Sequence, residues 1–369
     1  MLKQKNTLMN LIFDNIIFSL QDAGGISNYW YQLLKRINKE KGLTTYLYDD
    51  TSKSSNIFRK ELNLSNLELL GKSPGLVGRY TNPKINQLNE KSIFHSSYYR
   101  YSKNVNHINV STVHDFTYEH YFSGIQLYAH TNQKRKALAH SEGIICVSEN
   151  TKRDMLHFFP ELKDKKIIVI PHGVGKQFHK LNANELKSDT YFEGRPFILY
   201  VGDRKALYKN FLLAVKASMI SGFPLAILGG SPLTDKESLF INSKLKKDDY
   251  IHFNGVSNET LNEFYNLAQC LIYPSSYEGF GLPLLEAQSA GCPVIAMNTS
   301  SIPEVVVDSG ILLEEESPQQ IAHYIQKLTD EVYRIDLVQK GYENVKRFTW
   351  ENTFEKTIAF YRQLLSESE

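Results

Sequence analysis

Cysteine is scarce in this sequence, which has only three cysteines among its 369 residues. Cys146, Cys270 and Cys292 are odd in number, lie far apart, and each sits in an apolar run. No Cys-x-x-Cys pair occurs, so the pattern does not predict the disulfide framework that is typical of small secreted domains. We therefore expect three small, buried core residues.

Long hydrophobic runs are also missing. The first apolar run, Leu11 to Leu20, is broken by Asp14 and Asn15 and predicts neither a signal peptide nor a membrane span. No other stretch reaches the roughly 18 apolar residues that a spanning helix needs. An excess of one charge is missing too, because the formal net charge is +2, which argues against a nucleic-acid partner. These absences predict a cytoplasmic protein.

The charge is nevertheless uneven along the chain. Between Lys53 and Lys103 there are nine basic residues against three acidic ones, interleaved with Leu, Ile, Phe and Tyr. Such a segment (53–103) predicts a docking face for an anionic membrane or a lipid-phosphate acceptor, and thus a peripheral contact at the inner face of the membrane. The alternative is an ordinary solvated surface.

Length and hydrophobic patterning predict two α/β domains. A chain of 369 residues exceeds what one core usually covers, and short apolar runs alternate with amphipathic segments. The predicted strands are Leu11–Ile17, Thr44–Tyr48, Ile93–His95, Asn109–Val113, Gly143–Val147, Ile167–Ile170, Phe197–Val201, Leu225–Leu228, Tyr250–Phe253, Cys270–Tyr273, Val294–Ala296 and Gly310–Leu313. The predicted helices are Ile26–Lys39, Ile125–His140, Glu149–Phe158, Asn210–Ser221, Asn258–Ala268, Leu282–Ala290, Pro318–Thr329, Ile335–Arg347 and Trp350–Ser366.

The least regular stretch, Gly173 to Pro196, is polar and predicts an interdomain linker. We expect a Rossmann-like domain over residues 1–175 and a second one over 176–350. The last helix, 351–369, is expected to pack back on the first domain. Two doubly wound sheets would then face each other across a cleft that is lined by the carboxyl ends of their strands.

The densest motif is the run from Tyr273 to Ala287, YPSSYEGFGLPLLEA. A buried strand ends, a glycine-bearing loop follows, and a helix begins near Leu282, with a proline that suits a first turn. Gly279 and Gly281 let the backbone approach a ligand, and the unpaired N–H groups of a helix start are suited to phosphate. Glu278 and Glu286 can point to the same side. They could instead form a glycosidase pair, but both belong to one local element and do not flank a bond from two sides.

A second motif, from Leu199 to Asn210, follows the first strand of the second half, where a doubly wound sheet places its ligands. Arg204 and Lys209 flank a short loop there and could clamp a diphosphate, Arg as a fork and Lys as a point charge. A solvated basic loop is the alternative.

Two features of the first half carry further hypotheses. Gly24 and Gly25 lie between the first strand and the first helix but lack the spacing GxGxxG, so a dinucleotide site is weakly supported. A plain tight turn is the alternative. His114 follows a strand end at the expected cleft edge. A lone histidine more often has a structural role, but this position favours a functional one.

These motifs resemble those of the retaining glycosyltransferases of family 4, which have the GT-B fold of two Rossmann-like domains. The shared features are the two glutamates of EGFGLPLLE with seven residues between them, the loop from Val201 to Asn210, and Ile170-Pro-His-Gly-Val174. His172 stands where the family commonly carries Asn, which we interpret as a variant of little consequence for the chemistry.

The resemblance implies a role for each matching position. Arg204 and Lys209 would hold the donor diphosphate, Glu286 the ribose hydroxyls, and Glu278 the donor sugar, helped by backbone amides. The resemblance also implies that Phe280, Gly281 and Leu282 contact the sugar. It implies that Gly255 and Val256 contact the nucleobase. Gly24 and Gly25 would contact the donor phosphates. His114 matches the position of an active-site histidine, where it would orient the donor sugar.

The implied activity is transfer of a hexosyl group, of mannosyl or glucosyl type, from a nucleotide-diphosphate sugar to a hydroxyl of a glycan or lipid-linked acceptor. GDP-mannose and a bacterial surface-polysaccharide pathway are expectations from the family. No Asp-x-Asp triplet occurs in the sequence, so we expect no metal and no cofactor. A nucleotide-sugar 2-epimerase of the same fold and a non-catalytic nucleotide-sugar-binding module stay open as alternatives.

Overall fold

A computed structural model describes residues 9–37, 39–49, 51–72, 75–88, 90–182, 184–186 and 191–368. The chain divides into two compact units. The first contains the residues up to His172 together with those from Trp350 onward, and the second is Gly173–Thr349.

The first unit is built on a seven-stranded parallel sheet. Its strands are β1 (Met9–Asp14), β2 (Leu43–Tyr48), β3 (Glu68–Gly71), β4 (Ser92–Ser96), β5 (His107–Val113), β6 (Gly143–Cys146) and β7 (Lys166–Val169). They lie in the order β3-β2-β1-β4-β5-β6-β7. Strands β1, β4, β5 and β6 are buried along their whole length, as expected for a parallel sheet that helices cover on both faces.

The helices of the first unit are α1 (Ile17–Leu20), α2 (Gly25–Ile37), α3 (Ile57–Lys60), α4 (Thr117–Tyr121), α5 (Gly124–Ala139), α6 (Glu149–Phe158) and, from the end of the chain, α14 (Trp350–Ser368). Helix α2 has an apolar face, and its Trp30 lies fully buried against Phe13 of β1, with ring centroids 5.1 Å apart. In α14, Tyr361 is buried and its hydroxyl is hydrogen-bonded to His95 of β4.

The second unit contains a six-stranded parallel sheet. Its strands are β8 (Ile198–Val201), β9 (Leu225–Leu228), β10 (Tyr250–Phe253), β11 (Cys270–Tyr273), β12 (Val294–Met297) and β13 (Ile311–Leu313). The order β10-β9-β8-β11-β12-β13 is that of a doubly wound Rossmann sheet. Its helices are α7 (Phe211–Ser221), α8 (Asp235–Asn242), α9 (Asn258–Leu267), α10 (Leu282–Ser289), α11 (Ile302–Val306), α12 (Pro318–Lys327) and α13 (Glu331–Val345).

Most of the predicted strands and helices are confirmed, often to within two residues, and α6, β9, β10 and β11 have the predicted bounds. The first strand begins and ends earlier than predicted, because β1 is Met9–Asp14 and Ile17 already belongs to α1. Asp14 ends β1 as a buried carboxylate that is paired with Arg100. The predicted helix at Ile335 begins earlier, at Glu331, where the Asp330 side chain accepts hydrogen bonds from the Val332 and Tyr333 amides.

Part of the polar segment that we expected to be a linker, residues 178–181, is packed on the second unit. The backbone N–H of His179 donates to Asn262 Oδ1 (3.0 Å), and that of Leu181 donates to Asn266 Oδ1 (2.8 Å). Buried Phe178 meets the Tyr265 ring edge-on. These four residues therefore lie against α9, which supplies both asparagines.

All three cysteines are buried and unpaired, as expected from their apolar surroundings. Within the described ranges, no helix is both long enough and apolar enough to cross a membrane. The basic segment includes one residue that contributes no surface charge. Arg100 is only 1% exposed and is paired with Asp14 and Asp49.

Candidate active site

The order of the second sheet reverses between β8 and β11, which lie side by side. In open α/β sheets, ligands bind at such a reversal, outside the carboxyl ends of the strands. The loop after β8 carries Arg204 and Lys209, and the loop after β11 carries Glu278. The two motifs that are far apart in sequence therefore meet at the position that the topology favours for a ligand.

Lys209 and Glu278 form an ion pair at this reversal. Lys209 Nζ lies 2.6 Å from Glu278 Oε1, and the two side chains are only 17% and 12% exposed. The Lys209 ammonium also lies 3.5 Å from the Tyr273 hydroxyl. Burial raises the pKa of Tyr273 well above its usual value, and the negative charge of Glu278 and a hydrogen bond to it add to the rise. A cation and an anion are thus held together at low exposure.

The two loops are also joined by hydrogen bonds. Asn210 Nδ2 donates to the Pro274 carbonyl (3.0 Å), and the Ser276 amide donates to the Tyr208 carbonyl (2.8 Å). The Ser301 hydroxyl contacts the carbonyls of Glu278 (2.8 Å) and Phe280 (3.0 Å). Several independent bonds therefore fix the loop that carries Glu278.

This loop ends at Gly281, whose φ of +106° lies in the left-handed region that favours glycine. Leu282 then begins α10, with Pro283 in its first turn. A Cβ at position 281 would lie 2.8 Å from Leu284 Cδ1. Glycine is therefore needed here to start the helix, whose first N–H groups lack partners within the helix and suit an anion.

Arg204 lies at the same edge but is turned into the protein and is only 6% exposed. Its Nη1 donates to the Gly229 carbonyl (2.6 Å) and lies 2.9 Å from His252 Nε2. Nη2 donates to the Ser231 carbonyl, and Nε donates to Glu237 Oε1 (3.1 Å). The guanidinium thus holds the loop after β9, and its contact with a donor diphosphate stays a prediction.

Glu286 lies one turn inside α10, and most of its surface is buried. The Tyr265 hydroxyl donates to Glu286 Oε2 at 3.1 Å. Burial of the carboxyl raises its pKa to about 7, although the hydrogen bond from Tyr265 acts in the opposite direction. Near neutral pH this carboxyl is therefore poised between its protonated and ionised forms.

Gly255 and Val256 follow β10, an edge strand of the same sheet, and precede α9. Gly255 is exposed, and a Cβ built there would meet open space. The structure places both residues at the carboxyl edge of the sheet, and their contact with a nucleobase stays a prediction.

In the first unit, His114 directly follows β5 and belongs to a cluster of rings. The Tyr29 ring meets it edge-on at 5.1 Å, and the His172 ring stacks on it at 5.5 Å with an interplanar angle of 19°. Burial lowers the pKa of His114 to about 4, while the charge of Asp115 opposes the change. A neutral imidazole can orient a hydroxyl without adding charge. His172, which we expected to matter little, is in direct ring contact with it.

Gly24 and Gly25 lie at the start of α2, which Gly25 begins. The Gly24 carbonyl accepts hydrogen bonds from the Asn28 amide (2.9 Å) and the Ser27 hydroxyl (3.0 Å). A Cβ at Gly25 would meet nothing within 4 Å, so the turn leaves open space beside its backbone. Contact with donor phosphates stays a prediction for both glycines.

Sequence reasoning missed the glycine pair after β9. Gly229 and Gly230 have φ values of +99° and +74°, and a Cβ at Gly229 would lie 3.2 Å from the Gly202 carbonyl. The signal was present, because two adjacent glycines directly follow a predicted strand. Helix α8 and its Glu237 were also not predicted. Thr234 and Glu237 form a capping box, whose spacing can be recognised in a sequence.

Metal ligands do not cluster in the described part of the chain, where no three His, Cys, Asp or Glu side chains lie close enough to hold an ion.

Comparison with known families defines the class of the protein. The model of the family "Glycosyl transferases group 1" matches residues 183–344, and that of "Glycosyltransferase Family 4" matches residues 23–177. The two models together cover most of the chain. The protein belongs to the group 1 / family 4 glycosyltransferases, whose two models match successive parts of the chain.

Individual relatives include several mannosyltransferases. The chain is 29% identical over 275 residues to the O-antigen chain mannosyltransferase B of Escherichia coli, a match that covers 69% of this chain and 70% of that protein. It is 35% identical over 186 residues to a D-inositol 3-phosphate glycosyltransferase of Acidothermus cellulolyticus (46% of this chain, 41% of that protein). A serotype-specific mannosyltransferase of Escherichia coli is 25% identical over 62% of this chain and 30% of its own. These last two matches span less than half of each relative's length.

Solved structures share the fold. Sucrose-phosphate synthase from Thermosynechococcus elongatus superposes with a TM-score of 0.75 at 18% identity, covering 97% of this chain and 100% of the other. WaaG, a glycosyltransferase involved in lipopolysaccharide biosynthesis, gives 0.65 at 13% identity, with 95% and 98% covered. The GT-B fold that the motifs implied is thus confirmed.

Proposed function

We propose that this chain is a retaining, metal-independent hexosyltransferase. It moves a mannosyl or glucosyl group from a nucleotide-diphosphate sugar to a hydroxyl of a glycan or lipid-linked acceptor. The observation that carries the proposal is the Lys209–Glu278 pair at the β8–β11 reversal, beside the start of α10.

Charge stabilisation is the first requirement of such a reaction. The diphosphate that leaves carries negative charge, and the Lys209 ammonium with the first N–H groups of α10 can stabilise it without rearranging. These fixed groups take the place of the cation that an Asp-x-Asp motif would bind. A metal is therefore not required by the proposed chemistry.

The donor is oriented by the other predicted contacts. Glu286 would accept hydrogen bonds from the ribose hydroxyls, Glu278 would contact the sugar, and Gly255 and Val256 would border the base. Relatives that are mannosyltransferases favour GDP-mannose as the donor and surface-polysaccharide synthesis as the setting.

Retention follows if the acceptor attacks the face that the diphosphate leaves. The acceptor oxygen forms a bond to the anomeric carbon, the bond from that carbon to the phosphate oxygen breaks, and the acceptor proton passes to the departing phosphate. Neutral His114 would orient the sugar, consistent with its lowered pKa.

The proposal is tested first by binding and then by product analysis. A thermal-shift panel of nucleotide sugars should single out one donor, because specific binding raises apparent stability. With that donor, NMR should detect a new glycosidic bond of unchanged anomeric configuration only when an acceptor is present. Sugar released as its 2-epimer without acceptor would support an epimerase, and binding without turnover would support a non-catalytic module. A large rate loss in EDTA would overturn the metal-independent chemistry.

We also propose a peripheral membrane contact through the basic segment, residues 53–103, at the cytoplasmic face. The lysines of this segment are exposed, namely Lys53, Lys60, Lys72, Lys84, Lys91 and Lys103. Exposed lysines attract anionic lipid in a salt-dependent manner. Co-sedimentation with vesicles that contain phosphatidylglycerol, but not with neutral vesicles, should be strong at low salt and weak at high salt. Equal recovery with both vesicle types would overturn the contact.

A further inference from the structure

The loop that carries Glu278 lies between two other loops at the carboxyl edge of the second sheet. It follows β11, and the sheet order places β8 on one side of that strand and β12 on the other. The loops after these two neighbouring strands carry Asn210 and Ser300, whose φ values of +49° and +51° lie in the left-handed region. A non-glycine residue is uncommon there, and such conformations cluster at functional sites.

The two left-handed residues hold the loop from the two sides of β11 with their side chains. Asn210 Nδ2 donates to the Pro274 carbonyl at 3.0 Å. Ser300 Oγ accepts a hydrogen bond from the Glu278 amide at 2.9 Å. Asparagine visits the left-handed region more readily than serine, so the conformation of Ser300 has to be maintained by its surroundings.

The two neighbours of this serine in the chain bond the same loop. Thr299 Oγ1 donates to the Ser276 carbonyl at 3.1 Å. The Ser301 hydroxyl, which is fully buried, donates to the Glu278 carbonyl at 2.8 Å. We call residues 299–301, with their three consecutive hydroxyls, the hydroxyl clamp. Both the N–H and the C=O of Glu278 are therefore held by side chains of the hydroxyl clamp.

Glu278 is also the residue whose carboxylate pairs with Lys209 at 2.6 Å. The direction of its side chain depends on its backbone, and groups at a reacting centre must be held within about 0.5 Å of the productive geometry. For the backbone alone, glycine would suit position 300 better, because glycine adopts this φ freely. Serine adds a hydroxyl, and that hydroxyl bonds Glu278.

We infer that Ser300 is a positioning residue for the transfer reaction. Its hydroxyl fixes the backbone of Glu278, and thereby the carboxylate that contacts the donor sugar. The diphosphate is held separately, by Lys209 and the start of α10. Loss of the Ser300 hydroxyl should therefore lower kcat more than it raises the KM for the donor. The inference rests on the proposed transferase function.

Two substitutions separate the hydroxyl from the backbone conformation. Both remove the hydroxyl, but only Ser300→Ala keeps the strained φ, so it should melt at a lower temperature than Ser300→Gly. Both should lower kcat about tenfold and change the donor KM by less than about twofold. Ser243→Gly, at an exposed serine at the end of α8, is the matched control and should keep the natural kcat. A natural kcat in Ser300→Gly, or a loss confined to the less stable Ser300→Ala, would overturn the inference.

Hydrogen exchange measured by mass spectrometry tests the contact without turnover. The Glu278 amide should exchange slowly in the natural chain. In both Ser300 variants the peptide that covers residues 276–280 should gain about one fast-exchanging amide, and Ser243→Gly should not. Equal exchange in the natural chain and the Ser300 variants would overturn the inference. If the natural chain consumes no nucleotide sugar at all, the proposed function fails, and the exchange experiment alone decides whether Ser300 fixes Glu278.

Discussion

The carboxyl of Glu286 would make the proposed donor binding depend on pH. Its pKa is raised to about 7 by burial, whereas an ordinary glutamate lies at 4.5. Ribose hydroxyls would donate hydrogen bonds to this carboxyl, which favours the ionised form. Binding the donor must then displace a proton whenever the pH lies below about 7.

We therefore expect donor affinity to weaken below neutral pH. The dissociation constant should rise by up to about tenfold per pH unit as the pH falls below 7, and level off above it. Glu286→Gln should bind more weakly at pH 8 and lose this dependence. Titration calorimetry from pH 5.5 to 8.5 measures both. A natural chain whose affinity does not change over this range would contradict the role of Glu286.

The free protein should show the opposite trend in stability. The pKa of Glu286 is higher in the folded protein than in the unfolded chain. Its favourable contribution to the free energy of unfolding is therefore complete below pH 4.5 and is lost as the pH rises through about 7. Comparing melting curves of Glu286→Gln and the natural chain at pH 5 and 8 isolates this contribution.

Removing the ammonium of Lys209 should impair turnover. Lys209→Met keeps much of the side-chain length but leaves Glu278 without its cation, so we expect kcat/KM to fall about a hundredfold or more. Lys205→Met, in the same loop with an exposed side chain, is the matched control and should change little. Initial rates with the donor found by thermal shift provide the measurement. Equal rates for the two variants would rule out the proposed role of Lys209.

Contacts between site residues could be predicted where local sequence patterns located both residues at strand ends. Lys209 and Glu278 both follow strands, and parallel strands present their carboxyl ends at one edge, so their proximity could be anticipated. The partners of Arg204 could not, because they lie on the loop after β9 and on α8, which sequence periodicity did not reveal. The stack of His172 on His114 likewise depends on packing between distant segments.

At the scale of elements, the start of α10 depends on one glycine. Gly281→Ala must adopt a left-handed conformation, at about 1–2 kcal/mol, and must also push against Leu284. We expect a loss of at least this free energy of unfolding in urea titrations. Gly255→Ala, where a Cβ meets open space, should change stability by less than about 0.5 kcal/mol. Equal stability of the two variants would show that the turn can relax.

The elements that escaped prediction share a physical reason. Strand β3 is short, lies at the edge of its sheet, and keeps Glu68 and Leu69 exposed. Its sequence therefore lacks the alternation of apolar and polar residues that predicts a half-buried strand. Helix α11 has five residues and owes its place to packing rather than to helical periodicity. The long amphipathic helices and the fully buried strands were recognised because their own residues specify them.

At the scale of the whole molecule, the first unit needs the end of the chain. Helix α14 buries a set of large side chains in that unit: Trp350, Phe354, Ile358, Phe360, Tyr361 and Leu364. Phe360 and Leu364 approach Gly143 so closely that a Cβ there would lie 2.5 Å from Leu364 Cδ1. Glycine at 143 is thus required by this helix.

Deleting residues 350–369 should unfold the first unit and spare the second. Loss of several buried side chains at about 2–5 kcal/mol each exceeds the 5–15 kcal/mol stability that is typical of a domain. Limited proteolysis with mass spectrometry should recover fragments only from Gly173–Thr349. A chain that lacks only residues 366–369 is the control and should resist proteolysis throughout, because residues 366–368 are exposed. Survival of the first sheet without α14 would contradict this expectation.

The interrupted first unit also sets an order for biosynthesis. A ribosome makes Gly173–Thr349 as one continuous stretch, and it makes α14 only after that stretch. The nascent chain therefore carries a complete second unit while the first sheet still exposes the apolar surface around His95 and Gly143. Until α14 has been made, that surface is a natural substrate for chaperones.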